Sequence, residues 1–356
     1  MIQGIAHDSH YMQLPREVLI GNKVAPSVGE TLTRLGFRGP ALMVTGHKVI
    51  SIAGKTVLDS LEHAGLQSST ILVDNSTTEE VTRVADEIHK LKPDIVVGVG
   101  GGKDIDVAKL SSMNASTRFL SVPTAASHDG IASPLVSMKG LDRPYSYVAH
   151  SPIAIVADTS IIAKSPYKLI ASGCGDIVAK YTAVRDWKLA HRIKNEYYGD
   201  YAAELALMSA RLVIKNASMI KTMSESGVRT LVEALISCGV AMSIAGTSRP
   251  CSGAEHLFSH ALTMIAPKPA LHGEQCGVGT IMCAYLHGAN WQLIKDVLHK
   301  IGGPTTAKEL GIDPEHVIKA LTMAHSIRPE RYTILGESGL TKEAAERVAT
   351  LTGVLD

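Results

Sequence analysis

The sequence predicts an α/β first half built on a parallel sheet and an all-helical second half, and three observations carry that prediction. Up to about residue 160, short β-rich runs alternate with longer helical ones. The runs DIVVGVG (94–100) and IAIVAD (153–158) are continuously apolar, which suits strands covered on both faces. After Pro166 the β pattern stops and apolar residues recur at spacings of three and four.

Taken in order, ALMVTG (41–46) reads as a strand, 51–64 as a helix and SSTILVD (68–74) as a strand. A helix follows over 78–91, with Thr77 or Thr78 at its cap. The buried strand 94–100 leads into a helix from about Asp104 to Ser112, and RFLSVPT (118–124) and IAIVAD complete the strands. Strand–helix–strand units of this length build parallel sheets. In the second half, 201–220 and 228–245 have the spacing of long helices. The expected division is 1–163 and 164–356, meeting at a packed junction with a cleft, because no low-complexity linker separates the halves.

Composition narrows the class. The 356 residues are 45% apolar and 19% charged, with 35 Lys+Arg against 34 Asp+Glu. A net charge of +1 gives no overall field favouring nucleic acid or an anionic membrane, so neither is expected as a partner. Aromatics are only 4%, so aliphatic side chains, Ala and Met must fill the core, and Met208, Met219, Met242 and Met264 are read as filler. The five cysteines form no CxxC pair, which disfavours a disulfide framework and a cysteine-cluster zinc site; Cys174 and Cys276 are read as packing residues. A reducing, cytoplasmic setting fits, and the N-terminus lacks the pattern of a secretory signal. Residues 275–294 carry no charge but are broken by Gln275, Thr280, His287, Asn290 and Gln292, which predicts a buried helix rather than a membrane anchor.

Five segments carry chemistry. Gly98, Gly100, Gly101 and Gly102 stand where a strand gives way to a helix, where bare backbone amides can approach a pyrophosphate. The spacing is not GxGxxG, so a tight turn without a ligand remains an alternative. The loop SVPTAASHDGIAS (121–133) brings Thr124, Ser127, Asp129 and Ser133 to the same sheet edge. RPCSGAEHLFSH places His256 and His260 one helical turn apart, where both could bind one metal, or one a metal and the other a substrate, or neither. SGCGD ends in Asp176, and PKPALHGEQ carries His272.

Together, GGGKDID, VPTAASHDG, Asp176, His256 and His272 resemble the glycerol dehydrogenase, dehydroquinate synthase and iron-type alcohol dehydrogenase group over nearly the whole chain. SGCGDIVAKYTAVRDW, SRPCSGAEHLFSH and LHGEQCGVGT are most similar to the archaeal sn-glycerol-1-phosphate dehydrogenase family. The resemblance implies a dinucleotide-binding first domain, a metal- and substrate-binding helical second domain, and a homo-oligomer. It implies zinc on Asp176, His256 and His272. It also implies NAD(H) or NADP(H) against Gly100, Gly101, Gly102, Lys103, Asp104, Thr124, Ser127 and Ser133. Asp129, Asp176 and His260 would act in catalysis, interconverting dihydroxyacetone phosphate and sn-glycerol 1-phosphate for ether lipids. Unphosphorylated glycerol or another polyol is the alternative substrate, and dehydroquinate synthase-like lyase chemistry is a further one.

Two departures matter. Lys180 stands where iron-type members carry a further histidine ligand, leaving three ligands and an open position, as suits catalytic zinc. At the end of the first strand, Gly46, His47 and Lys48 replace the acidic residue that often selects NAD, which predicts acceptance of NADP(H) as well. The substrate phosphate has five candidate partners, Arg249, Lys268, His128, Arg328 and Arg331.

Overall fold

Six parallel strands organise the first half of the chain. The computed structural model describes residues 12–138 and 146–355. The strands are β1 (Glu17–Gly21), β2 (Ala41–Gly46), β3 (Ser68–Val73), β4 (Ile95–Gly100), β5 (Arg118–Pro123) and, after the short antiparallel pair β6 (Leu135–Val136) and β7 (Tyr147–Val148), β8 (Ala154–Asp158). Their order is β1-β8-β5-β4-β2-β3, every pairing parallel. From β2 the chain steps outward to β3 and then returns to the other side of β2 as β4. The carboxyl ends of β2 and β4, at Gly46 and Gly100, therefore flank a topological switch point, where open α/β sheets bind ligands.

All residues of β2 and β4 are buried, as their continuous apolar runs require. Alternate side chains go to opposite faces. Met43, Val97 and Val99 pack on α1 (Val28–Arg34) and α2 (Lys55–His63) through Val28, Leu32, Val57 and Leu61. Leu42, Val44 and Val96 pack on α3 (Thr78–Leu91) and α4 (Gly102–Asn114) through Val84, Ile88, Ile105 and Ala108.

After the single turn α5 (Thr159–Ile162), every regular element among the described residues is helical. They are α6 (Tyr167–Lys194), α7 (Asp200–Lys215), α8 (Ala217–Lys221), α9 (Glu225–Ala245), α10 (Ala254–Ile265), α11 (His272–Leu286), α12 (Trp291–Ile301), α13 (Ala307–Leu310), α14 (Pro314–Ile327) and α15 (Lys342–Leu351). A third core cluster built around Trp187, Leu231, Phe258, Ile281 and Leu321 joins them. Helix α9 is long and apolar enough to cross a membrane, but 67% of its most apolar window is buried, so it is a core helix.

Several boundaries differ from expectation for identifiable reasons. Helix α4 starts at Gly102, two residues early, because Gly101 in extended conformation is its N-cap. The expected helix 201–220 breaks at Asn216 into α7 and α8. The uncharged stretch 275–294 is split between α11 and α12, where the Asn290 side chain accepts from Leu293 N–H at 2.9 Å and starts a new helix. Strand β1 and helix α1 were not expected. Met242 is core, but Met208 and Met264 are exposed, at 47% and 53%.

Candidate active site

The phosphate turn is shaped by backbone approach. Gly100 has φ +155°, and a Cβ there would lie 2.2 Å from the Asp104 carboxylate. The first turn of α4 has no side-chain cap, so its N–H groups and the positive helix end face the switch point. The loop after β5 closes over it, with Thr124 N–H donating to Gly100 C=O at 2.9 Å. Lys103 spans the switch point, donating to the carbonyls of Val73 (3.3 Å) and Asp74 (2.8 Å). Asp104 turns inward toward Gly46 and Gly100, and burial raises its pKa more than nearby Lys103 lowers it. The Ser127 carbonyl accepts from Ser172 Oγ at 3.2 Å, tying the loop to α6, and Ser133 lines the cavity beside it.

The carboxylate missing from the end of β2 is supplied by a neighbour. Asp74, just after β3, lies 3.3 Å from His47 Nε2. His47, beside Lys48, thus faces an acidic partner across the paired ends of β2 and β3.

Asp176, His256 and His272 come from three helices, α6, α10 and the first residue of α11. Close backbone contact brings two of these helices together: a Cβ on Gly175 would sit 2.2 Å from the Gly273 carbonyl oxygen. His256 Nε2 is 3.3 Å from Asp176 Oδ1, and the His256 and His272 rings are 5.1 Å apart. Each imidazole is held through its other nitrogen: His256 Nδ1 lies 2.8 Å from Glu255 Oε1 and His272 Nδ1 3.2 Å from Ser259 Oγ. One carboxylate and two imidazoles, each fixed by an outer hydrogen bond, are a donor set that fits zinc.

Lys180, fully buried, donates to Asp176 Oδ1 at 2.7 Å and lies 2.8 Å from Asp129 Oδ2. Asp129 N–H in turn donates to Asp176 Oδ2 at 2.8 Å. Burial opposes ionisation of both partners, yet the ammonium, with His256, holds the Asp176 carboxyl well below the usual range. Asp129 and Asp176 raise Lys180 well above its own range. Lys180 is thus a fixed cation rather than a ligand.

His260 follows His256 by one turn, its ring 5.8 Å from that of His272. Burial, then the two neighbouring histidines and Arg328 and Arg331, keep it well below its ordinary pKa, so it is neutral. Cys276 was expected only to pack. Its Sγ lies 3.5 Å from His272 Nε2, and donor atoms of His256, His272 and Cys276 fall within 4.8 Å of one another. Burial raises the thiol, but His256 and His272 outweigh it and bring it to about 6. The only sequence signal for this was its position one turn after His272.

A cavity of about 220 Å³ joins the two halves of the site, lined by Gly102, Lys103, Asp129, His256, His260 and His272. Asp106, which sequence reasoning passed over, also lines it with a buried, unbonded Oδ1. Of the basic candidates, Arg249 is committed to Glu196, with Nε 2.6 Å from Oε1, and Lys268 is exposed. His128 and Arg328 line the cavity.

Comparison with known proteins places this architecture. Residues 19–166 match the iron-containing alcohol dehydrogenase family. Proteins named glycerol-1-phosphate dehydrogenase (NAD(P)+) are 54% identical in Methanothermobacter thermautotrophicus, over 98% of this chain and 100% of that one. The same identity holds in Thermococcus kodakarensis, over 97% and 99%. Among solved structures, a probable glycerol dehydrogenase from Sinorhizobium meliloti superposes with a TM-score of 0.77 at 21% identity, over 97% of this chain and 98% of that one. Glycerol dehydrogenase from Schizosaccharomyces pombe gives 0.78 at 20%, over 97% and 90%. These structures share the fold. By its full-length identity to the archaeal proteins, the chain belongs to the glycerol-1-phosphate dehydrogenase (NAD(P)+) family of oxidoreductases.

Proposed function

We propose that this chain interconverts dihydroxyacetone phosphate and sn-glycerol 1-phosphate with NAD(H) or NADP(H), at a zinc site formed by Asp176, His256 and His272. One observation carries the reading: His256 and His272 line the same cavity that begins at the glycine turn of α4, with the buried Asp176 carboxylate 3.3 Å from His256 Nε2. A zinc ion there supplies a Lewis acid for the substrate oxygen on the carbon that exchanges hydride.

The protein's own groups do the rest. Gly100, Gly101 and Gly102 offer amides to the cofactor diphosphate, with Lys103 beside them and Thr124, Ser127 and Ser133 on the covering loop. Asp104 supports the turn from beneath. Lys180 locks Asp129 and Asp176 together, so that Asp129 can orient a substrate hydroxyl at the cavity wall. His260, neutral and adjacent to the histidine pair, can accept or return the hydroxyl proton. NADP(H) use rests on His47 and Lys48 with Asp74 drawn toward His47, and the names of the relatives support it.

Two sheet-centred cores lying wholly in the first part support the division 1–163 and 164–356, while the core of the helical part also takes in Ala126, Ile131 and Ile155. The names of the archaeal relatives support glycerol 1-phosphate as substrate or product, and a role in supplying it to ether lipids in a cytoplasmic setting rests on the sequence resemblance. Tyr201, Met208 and Leu212 are exposed on α7, which supports a homo-oligomer.

The test is NADH oxidation with dihydroxyacetone phosphate and with dihydroxyacetone, before chelation, after it, and after zinc return. Zinc-restored activity on the phosphate is expected. Turnover of dihydroxyacetone alone would favour a polyol dehydrogenase, and product without net NADH loss would favour lyase chemistry.

A further inference from the structure

The proposed reaction leaves the substrate's phosphate without donors, and a subsite for that phosphate rests on the reaction being the right one. A second cavity, of about 310 Å³, adjoins the first and shares Ser146, Met242, Ser248 and Arg328 with it. Helix α14 ends at Ile327, and a tight turn comes next, closed by Arg331 N–H donating to Arg328 C=O at 2.9 Å. That turn brings both guanidiniums to the second cavity, and Arg328 to the wall common to both.

Arg331 is held in place by the loop leading into α10. Its Nη1 donates to Ser252 C=O (3.0 Å) and Oγ (3.2 Å), and its Nη2 to Ser248 Oγ (2.8 Å). Both hydroxyls accept from the arginine, which leaves their O–H groups to donate elsewhere. Ser248 and Ser252 also line the cavity that holds His256, His260 and His272. Among the described residues Arg331 has no carboxylate partner, in contrast to Arg249, which is neutralised by Glu196. Burial first, and then Arg328 and Arg249, push its guanidinium down to about 9 against the opposing pull of Glu196 and Glu330, and a bound dianion would favour the charged form.

We propose that Arg331, with Arg328 and the hydroxyls of Ser248 and Ser252, forms the dianion subsite that holds the substrate phosphate and makes the enzyme select a phosphorylated triose. A planar fork braced by two serines suits a phosphate monoester, which it can engage through two parallel N–H groups. The uncapped glycine turn of α4, the site proposed for the cofactor diphosphate, is a separate group of donors.

The test compares kcat/KM for dihydroxyacetone phosphate with that for dihydroxyacetone, using NADH and NADPH separately. In Arg331→Met the ratio of the two should fall about 100-fold, through KM for the phosphate, and Arg331→Lys should recover part of it. Inorganic phosphate should compete with dihydroxyacetone phosphate in the parent enzyme, with an inhibition constant raised by a similar factor in Arg331→Met. An unchanged ratio, an equal loss with both substrates, or an effect confined to KM for NADPH would overturn the assignment. Should Arg331→Met not fold, Ser252→Ala and Arg328→Met are each expected to lower the ratio about 10-fold, and no change in either would overturn it. A parent enzyme that reduces only dihydroxyacetone refutes the functional reading itself. One that prefers the phosphate while Arg331→Met keeps that preference refutes this subsite alone.

Discussion

Replacing Lys180 with Met removes the ammonium that lies between the buried Asp176 and the partly buried Asp129 while keeping nearly the same volume. Its Nζ lies 2.7 Å from Asp176 and 2.8 Å from Asp129, and the side chain has no exposure. At an effective dielectric constant near 20, each contact is worth roughly 6 kcal/mol before desolvation is counted. Breaking a buried pair this way leaves a net loss of about 3–5 kcal/mol, because the carboxylates stay behind without the ammonium between them. Urea unfolding of the chelated protein at pH 7 measures it, with Lys168→Met as control. Lys168 is 64% exposed and 3.4 Å from Glu274, so its loss should stay within about 0.5 kcal/mol. A loss below about 1 kcal/mol for Lys180→Met would refute the claim that this ammonium holds the Asp176 carboxylate ionised.

Three further outcomes rest on contacts of the same kind. His150, stacked on Phe119 and 2.9 Å from Ser112 Oγ, is pushed down to about 4, by burial first and then by Lys109. The unfolded imidazole titrates near 6.5, so the folded state binds this proton less well. Stability present above pH 6.5 should be lost as pH falls toward 4, by about 2 kcal/mol at pH 4.5 after allowing for partial exposure. Urea midpoints for the parent and His150→Gln should therefore converge on acidification, and parallel curves would count against the assignment. Gly175→Ala should push α6 from α11, lowering stability by about 1–3 kcal/mol and weakening zinc binding in a competition titration; unchanged zinc affinity would contradict the role given to that contact. Arg249→Met should destabilise the fold by about 3 kcal/mol, read by urea unfolding, and leave the preference for phosphorylated substrate intact, because its guanidinium is spent on Glu196 and the Tyr332 carbonyl.

Elements with strong local signals were legible in the chain. Strand β2 falls on 41–46 and helix α3 on 78–91, with Thr77 as its cap, because a continuous apolar run and a capping threonine act locally. Strand β1 was not, since its five residues are half-exposed and it exists through pairing with β8, more than a hundred positions later. The phosphate turn, Asp176, His256, His260 and His272 were legible as separate motifs. What joins them was not. Lys180 reaches Asp129 only once α6 packs on the loop after β5, and Glu196 claims Arg249 from 53 positions away. Asp74 meets His47 because the parallel register sets Gly46 beside Val73. Local pattern gives the residue types; charge pairing and cavity walls belong to the folded chain.

The central claim is tested most directly by supplying the zinc-loaded enzyme with NADH and dihydroxyacetone phosphate and determining the configuration of the product. The account predicts stoichiometric NADH oxidation and sn-glycerol 1-phosphate alone. No oxidation, or the opposite enantiomer, would contradict it.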